Sequence, residues 1–230
     1  ILARRQRQMC IRDRAGTGSN STDEAVELSQ YAEKAGSDAL LVVTPYYNKP
    51  TQEGLYQHYK KINDSVGIPI IIYNIPSRSV IDMSVETMSK LYELKNITGV
   101  KDATGDLNRV DQQLKAMGKD FIQLTGNDDN ALEFNKRGGV GAIGVTANIA
   151  AKISSDFQKA CEQKNEEAES LDKLLQPLHS ALFIESNPSP VKYAASLLGM
   201  CNPSVRLPLV EIREETKKKV SEALKVAKLL

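Results

Sequence analysis

The chain has 230 residues, 41% of them hydrophobic, and a formal charge of +1 from 30 basic and 29 acidic side chains. That length and apolar content suffice for one sizeable core, and the balanced charge argues against a nucleic-acid partner. Three scattered cysteines (Cys10, Cys161, Cys201) and two isolated histidines (His58, His179) argue against a disulfide framework or a metal cluster and suit a reducing, cytoplasmic setting, while no apolar run reaches the length of a membrane span.

Residues 1–14 read ILARRQRQMCIRDR, with five arginines and no amphipathic period, and are expected to be a non-native leader. Setting them aside removes five basic residues and Asp13, leaving 25 basic against 28 acidic residues and a charge of −3. From Ala15 onward, helical and strand patterns alternate. Ser21-Thr22-Asp23-Glu24 is a capping box, followed by Ala25, Leu28, Ala32 and Ala35 at helical spacing until Gly36. Apolar runs at Ala39–Val43, Ile68–Tyr73, Ile97–Lys101, Phe121–Leu124 and Val140–Val145 predict strands, separated by helical patterns at Gly54–Ser65, Val85–Leu94, Asn108–Met117 and Asp129–Arg137. Strands that are apolar on both faces and joined by helices predict a parallel sheet with right-handed crossovers.

The unit lengths suit an α/β fold of the (β/α)8 barrel type, which needs about 250 residues. Five full strands and the tail of another predict a barrel lacking its first two to three βα units. After Val145 the pattern is helical, at Ile153–Gln163, Asn165–Ser180, Pro190–Leu198 and Glu211–Leu229. The expected organisation is therefore a leader at 1–14, a partial barrel at 15–164 and a C-terminal helical domain at 165–230.

In such a barrel, chemistry gathers where strands end. The predicted strands are followed by Thr44-Pro45-Tyr46-Tyr47-Asn48-Lys49-Pro50, by Tyr73-Asn74-Ile75-Pro76-Ser77-Arg78, by Lys101 itself, by Thr125-Gly126-Asn127-Asp128-Asp129 and by Thr146-Ala147-Asn148. Lys101 closes a β-branched run, where apolar surroundings disfavour the ammonium and favour a nucleophilic amine. One amine, several phenols and a guanidinium suit a carbonyl substrate held as an imine, with a phenol to move protons and an arginine to hold a carboxylate. Each residue also has a structural reading. Tyr73 could fill the barrel, Arg78 could lie on the surface, and Tyr46 and Tyr47 could form a packing pair. Gly16-Thr17-Gly18 lacks the spacing of a phosphate loop and predicts a tight strand-to-helix turn.

The motifs at 15–20 (AGTGSN), 44–50 (TPYYNKP), 73–78 (YNIPSR), 99–106 (GVKDATGD), 126–129 (GNDD), 145–148 (VTAN), 187–192 (NPSPVK) and 206–209 (RLPL) together resemble the dihydrodipicolinate synthases, also called 4-hydroxy-tetrahydrodipicolinate synthases, of the pyruvate-dependent class I aldolases. The resemblance runs from residue 15 to the C-terminus. It implies that Lys101 forms a Schiff base with pyruvate, and that the derived enamine attacks L-aspartate 4-semialdehyde before the product cyclises. No metal or organic cofactor is implied. Tyr73 matches the family's proton donor and acceptor, Tyr47 the tyrosine given across a dimer interface, Arg78 the residue that holds the aldehyde's carboxylate, and Ile143 the backbone contact to pyruvate. Asn20, Glu24 and Tyr46 match part of a lysine-feedback site, and the family implies a homotetramer built as a dimer of dimers.

The chain departs from the family pattern in two places. The segment that supplies the relay threonine is absent, and Thr44 belongs to a different motif. Gly144 stands where serine is common, which is expected to loosen local hydrogen bonding. Two alternatives stay open. One is a sibling lyase acting on N-acetylneuraminate or keto-deoxy sugar acids; the other is an impaired or inactive fragment.

Overall fold

A parallel sheet follows from the apolar runs, because strands buried on both faces need helices to cover them and to return the chain. The computed structural model describes residues 13–230, so most of the leader, Cys10 included, lies outside the described residues. Arg14, grouped by composition with that leader, opens strand β1 (Arg14–Gly16) and pairs in register with Ala39. Backbone contacts divide the described chain into two units. One runs through Gly126 and includes Arg137–Gly139; the other comprises Asn127–Lys136 and Val140–Leu230.

In the first unit, β1 leads to α1 (Thr22–Lys34), β2 (Ala39–Val43), α2 (Gln52–Asn63), β3 (Ile70–Asn74) and a four-residue α3 (Pro76–Ser79). Then come α4 (Val85–Tyr92), β4 (Ile97–Asp102), α5 (Asn108–Met117) and β5 (Ile122–Thr125). The sheet order is β1-β2-β3-β4-β5 and every pairing is parallel. Leu40 and Val42 of β2, Ile70 and Ile72 of β3 and Val100 of β4 share one core with Ala25, Leu55, Tyr59, Ile62, Met88 and Leu91 from the helices. Two-residue periodicity therefore sends the intervening side chains, Tyr73 and Lys101 among them, to the opposite face. Gly99 is required where β4 meets β5, since a Cβ there would lie 2.2 Å from the Ile122 carbonyl oxygen.

The capping box forms by half. Ser21 caps α1, but the Glu24 carboxylate accepts from Ser19 Oγ instead of closing on the Ser21 amide, which donates to Ser19 Oγ at 3.1 Å. A Cβ on Gly18 would lie 2.5 Å from the Val43 amide nitrogen, so Gly18 serves close packing, whereas one on Gly16 would meet nothing within 4 Å.

In the second unit, a 3-10 turn (Asp128–Asn130) precedes α6 (Ala131–Lys136), and another (Thr146–Asn148) precedes α7 (Ala151–Glu162), α8 (Glu167–Ala181), α9 (Ser189–Leu197) and α10 (Glu214–Val226). Phe157, Leu175, Leu178, Ala194, Val220 and Leu224 fill its core. The strand expected at Val140–Val145 does not form. The amides of Val145 and Thr146 donate to Asp128 Oδ2 at 2.7 and 2.9 Å, so a side chain satisfies what a ladder would otherwise take. A Cβ on Gly144 would fall 1.6 Å from Asp128 Oδ1. Glycine at that position thus admits the carboxylate, and the expected loosening of local hydrogen bonding is replaced by two charge-assisted bonds.

Among the described residues, no helix is long and apolar enough to cross a membrane, and no three His, Cys, Asp or Glu side chains are grouped to hold a metal ion. The two histidines instead tie elements together. His179 Nδ1 lies 2.7 Å from the buried Thr146 Oγ1, and His58 Nδ1 lies 2.9 Å from Thr22 Oγ1, pinning α2 to α1. Burial pushes the His58 imidazole down from 6.5 to about 4. The unfolded ring takes up a proton that the folded ring refuses, so this contribution is complete above pH 6.5 and is lost as pH falls toward about 4. It is worth on the order of 3 kcal/mol. Urea unfolding at pH 7 and pH 4.5 is expected to show a smaller acid destabilisation in His58→Gln than in the parent chain.

Candidate active site

Lys101 and Tyr73 are register partners on adjacent strands, each one residue short of its strand's end. The Lys101 amine lies 4.0 Å from the centroid of the Tyr73 ring. Lys101 is 9% exposed, whereas Tyr73 is half-buried. Burial raises the Tyr73 phenol above its ordinary value, and the Arg78 guanidinium partly offsets that rise. A phenol held protonated beside a desolvated amine can donate a proton to an oxygen leaving the carbon that the amine attacks.

Arg78 sits on α3, whose Pro76 occupies the first turn, where a missing N–H costs nothing. Its side chain is exposed and close enough for its charge to act on Tyr73. Gly126 follows β5 directly. A Cβ there would lie 3.1 Å from Lys101 Cε and 2.7 Å from Ala103 Cβ, so the glycine makes room for the lysine's stem.

Tyr46 and Tyr47 follow β2 in a loop tied back to the start of α1, where Asn48 Nδ2 donates to the Asn20 carbonyl at 2.8 Å. Asn20, Tyr46 and the Ser19–Glu24 contact are thereby gathered near one end of α1. Tyr47 is 87% exposed and adopts a left-handed backbone, with φ 73°. Ile143 belongs to the second unit, half-buried on the segment that the Asp128 carboxylate fastens. Of the residues singled out in the sequence, the structure thus gathers Lys101, Tyr73 and Arg78 in one group and Asn20, Glu24 and Tyr46 in another.

Three residues at the site were assigned no role from the sequence, although Gly126 and Asp102 lie within the motifs at 126–129 and 99–106. Gly126 could have been found only as a glycine directly after a strand. Asp102 and Arg109 form a buried ion pair at 3.0 Å behind Lys101, and because one ends a strand and the other lies on the following helix, no single periodicity links them.

The Dihydrodipicolinate synthetase family profile matches residues 10–227, beginning inside the stretch read as a leader. The 4-hydroxy-tetrahydrodipicolinate synthase of Pelagibacter ubique is 71% identical over 220 residues, covering 94% of this chain and 75% of that protein. The enzyme of the same name from Bradyrhizobium diazoefficiens is 60% identical over 219 residues, covering 94% of this chain and 73% of that one. Among solved structures, the chloride-inhibited dihydrodipicolinate synthase from Acinetobacter baumannii, complexed with pyruvate, superposes with a TM-score of 0.95 at 43% identity, covering 100% of this chain and 78% of that one. The α/β fold is that of these (β/α)8-barrel enzymes. With its lysine, tyrosine and arginine at the expected strand ends, the chain belongs to the dihydrodipicolinate synthetase family.

Proposed function

We propose that the chain is a Schiff-base lyase that joins pyruvate to L-aspartate 4-semialdehyde, giving 4-hydroxy-tetrahydrodipicolinate in lysine and diaminopimelate biosynthesis. The observation that carries the reading is the Lys101 amine held 4.0 Å over the Tyr73 ring at paired strand ends. The Lys101 nitrogen adds to the pyruvate carbonyl carbon, and the carbonyl oxygen, taking one proton from the amine and one from the phenol, leaves as water. The cationic imine draws electrons from the methyl C–H bond; loss of that proton gives an enamine. The enamine carbon bonds to the aldehyde carbon, whose oxygen takes a proton. The amino group of the semialdehyde then adds to the imine carbon, closing the ring and releasing Lys101.

In this reading Arg78 holds the carboxylate of the incoming aldehyde, a task for which a planar guanidinium is suited. The Ile143 backbone contacts pyruvate. Tyr47 completes the proton relay of a second copy, a role supported by its exposure and left-handed backbone, within a homotetramer built as a dimer of dimers. Asn20, Glu24 and Tyr46 contribute to lysine feedback, which the Asn48–Asn20 bond supports by drawing the loop to the start of α1.

Five parallel strands among the described residues, and a length about three quarters that of the curated relatives, support a barrel short of two to three βα units. Residues 15–164 would make up that part and 165–230 a helical domain. Turnover by the 230-residue chain is therefore expected to be low even where Lys101 captures pyruvate.

Borohydride reduction in the presence of pyruvate, read by intact mass, is expected to give one adduct that Lys101→Ala abolishes; an adduct that persists in Lys101→Ala would sink the assignment. Tyr73→Phe is expected to slow adduct formation by about 10²-fold, the usual contribution of a general acid. Gly126→Ala, which crowds the lysine stem, is expected to slow it about tenfold through misplacement of the amine. Turnover of L-aspartate 4-semialdehyde in preference to sugar acids separates this reading from that of a sibling lyase.

A further inference from the structure

On the helix-packed face of β3 and β4 lies a charged cluster that imine chemistry does not use. Asn74 and Asp102 directly follow Tyr73 and Lys101, and are themselves register partners. Strand periodicity points them away from the amine. Asn74 is fully buried, Asp102 is 5% exposed, and Arg109 of α5 is 9% exposed.

Arg109 joins the two strands. Its Nε donates to Asp102 Oδ2 at 3.0 Å, its Nη2 to the Met83 carbonyl at 2.8 Å and its Nη1 to Asp82 Oδ2 at 3.4 Å. Asp82 Oδ1 accepts from Asn74 Nδ2 at 2.7 Å, and Asn74 Oδ1 accepts from the Met83 amide at 3.1 Å. The rest of the Asp102 carboxylate is also occupied. Oδ1 accepts from the Thr104 amide and hydroxyl at 2.9 and 2.6 Å, and Oδ2 accepts from Gln113 Nε2 at 3.2 Å.

Stability alone is a weak reason for such a cluster, because apolar residues of similar volume commonly do as well without the desolvation cost. Its placement gives a stronger one. The β3–β4 register shifts between Ile70 and Ile71, and beyond Tyr73 and Lys101 only one further pair remains in the ladder. Apolar packing is non-directional and cannot by itself fix a strand end to a fraction of an ångström, whereas a guanidinium fork can.

We propose that Arg109 is a positioning residue: through Asp102 on one strand and the Asp82–Asn74 bridge on the other, it locks the ends of β3 and β4 together and so holds the Lys101 amine over Tyr73 for attack on pyruvate. The inference rests on the Lys101 imine reading.

The test compares the full chain with Arg109→Met, Arg109→Lys and Asp82→Ala, the last at a half-exposed residue that keeps the buried pair intact. Three quantities are read: the rate of borohydride-trapped adduct with saturating pyruvate, the urea midpoint, and the upfield ring-current shift of 13C-dimethylated Lys101, assigned with Lys101→Arg. Arg109→Met is expected to slow trapping at least about tenfold and to shrink the ring-current shift, Arg109→Lys to recover part of both, and Asp82→Ala to slow trapping about threefold with a smaller loss in urea midpoint than Arg109→Met. A lowered midpoint with trapping rate and ring-current shift both unchanged in the folded Arg109→Met protein would overturn the proposal. Should Arg109→Met fail to fold, an unchanged rate and shift in Asp82→Ala would overturn it instead. If the parent chain forms no adduct, the imine reading fails, while the ring-current shift still decides whether Arg109 positions the lysine.

Discussion

The parallel pairing of β3 with β4 sets one register partnership, Tyr73 with Lys101, on which the proposed chemistry depends. A slip of a single residue in either strand would send its Tyr73 or Lys101 to the helix-packed face and bring Asn74 or Asp102 into its place. The same slip would bury an amine or a phenol among Ile72, Val100, Met88 and Leu91, an apolar setting that disfavours either. The hydrophobic pattern therefore protects the site: any register that turns the lysine to the other face also turns the core outward. Gly99 sharpens the constraint, since it lets β4 approach β5 more closely than a side chain would allow.

Ionisable groups that this arrangement buries are made tolerable by saturation rather than by solvent. Asp102 accepts four hydrogen bonds, which is about the capacity of a carboxylate, and one comes from a cation. Asp128 in the second unit accepts two backbone amides, taking the place of a strand neighbour. The histidines follow the other route: desolvation holds the His58 ring neutral while Thr22 orients it, and His179 is held in the same manner by Thr146. The outcome is a saturated Asp102 carboxylate on the helix-packed face and a Lys101–Tyr73 pair on the other.

The extent of the sequence's legibility follows from which forces are local. Ala39–Val43 and Ile97–Lys101 read clearly as strands because β-branched and aliphatic runs bounded by turns have few other uses, and the second extends by one residue to Asp102. The helices were legible from their caps and periodicity, although Glu24 closes on Ser19 where the capping-box pattern points to Ser21. Val140–Val145 misled because its apolar alternation is satisfied by a carboxylate from a distant residue, which no window of neighbouring residues can reveal. Arg14 read as part of an arginine-rich leader, yet its backbone pairs with Ala39. Composition does not report where a hydrogen-bond ladder starts.

The sequence by itself determined the alternation of strand and helix, the amine at the end of one apolar run and the phenol and guanidinium at the end of another, since these are matters of residue type and local period. Only the tertiary structure decided that Lys101 faces Tyr73 at 4.0 Å, that Gly126 clears space for the lysine stem, and that Arg109 reaches both strands from the opposite face. The physical reason is range. Propensity and periodicity act over a few neighbouring residues, whereas strand register, close approach and the pairing of buried charges arise only when distant segments pack and must satisfy one another away from water.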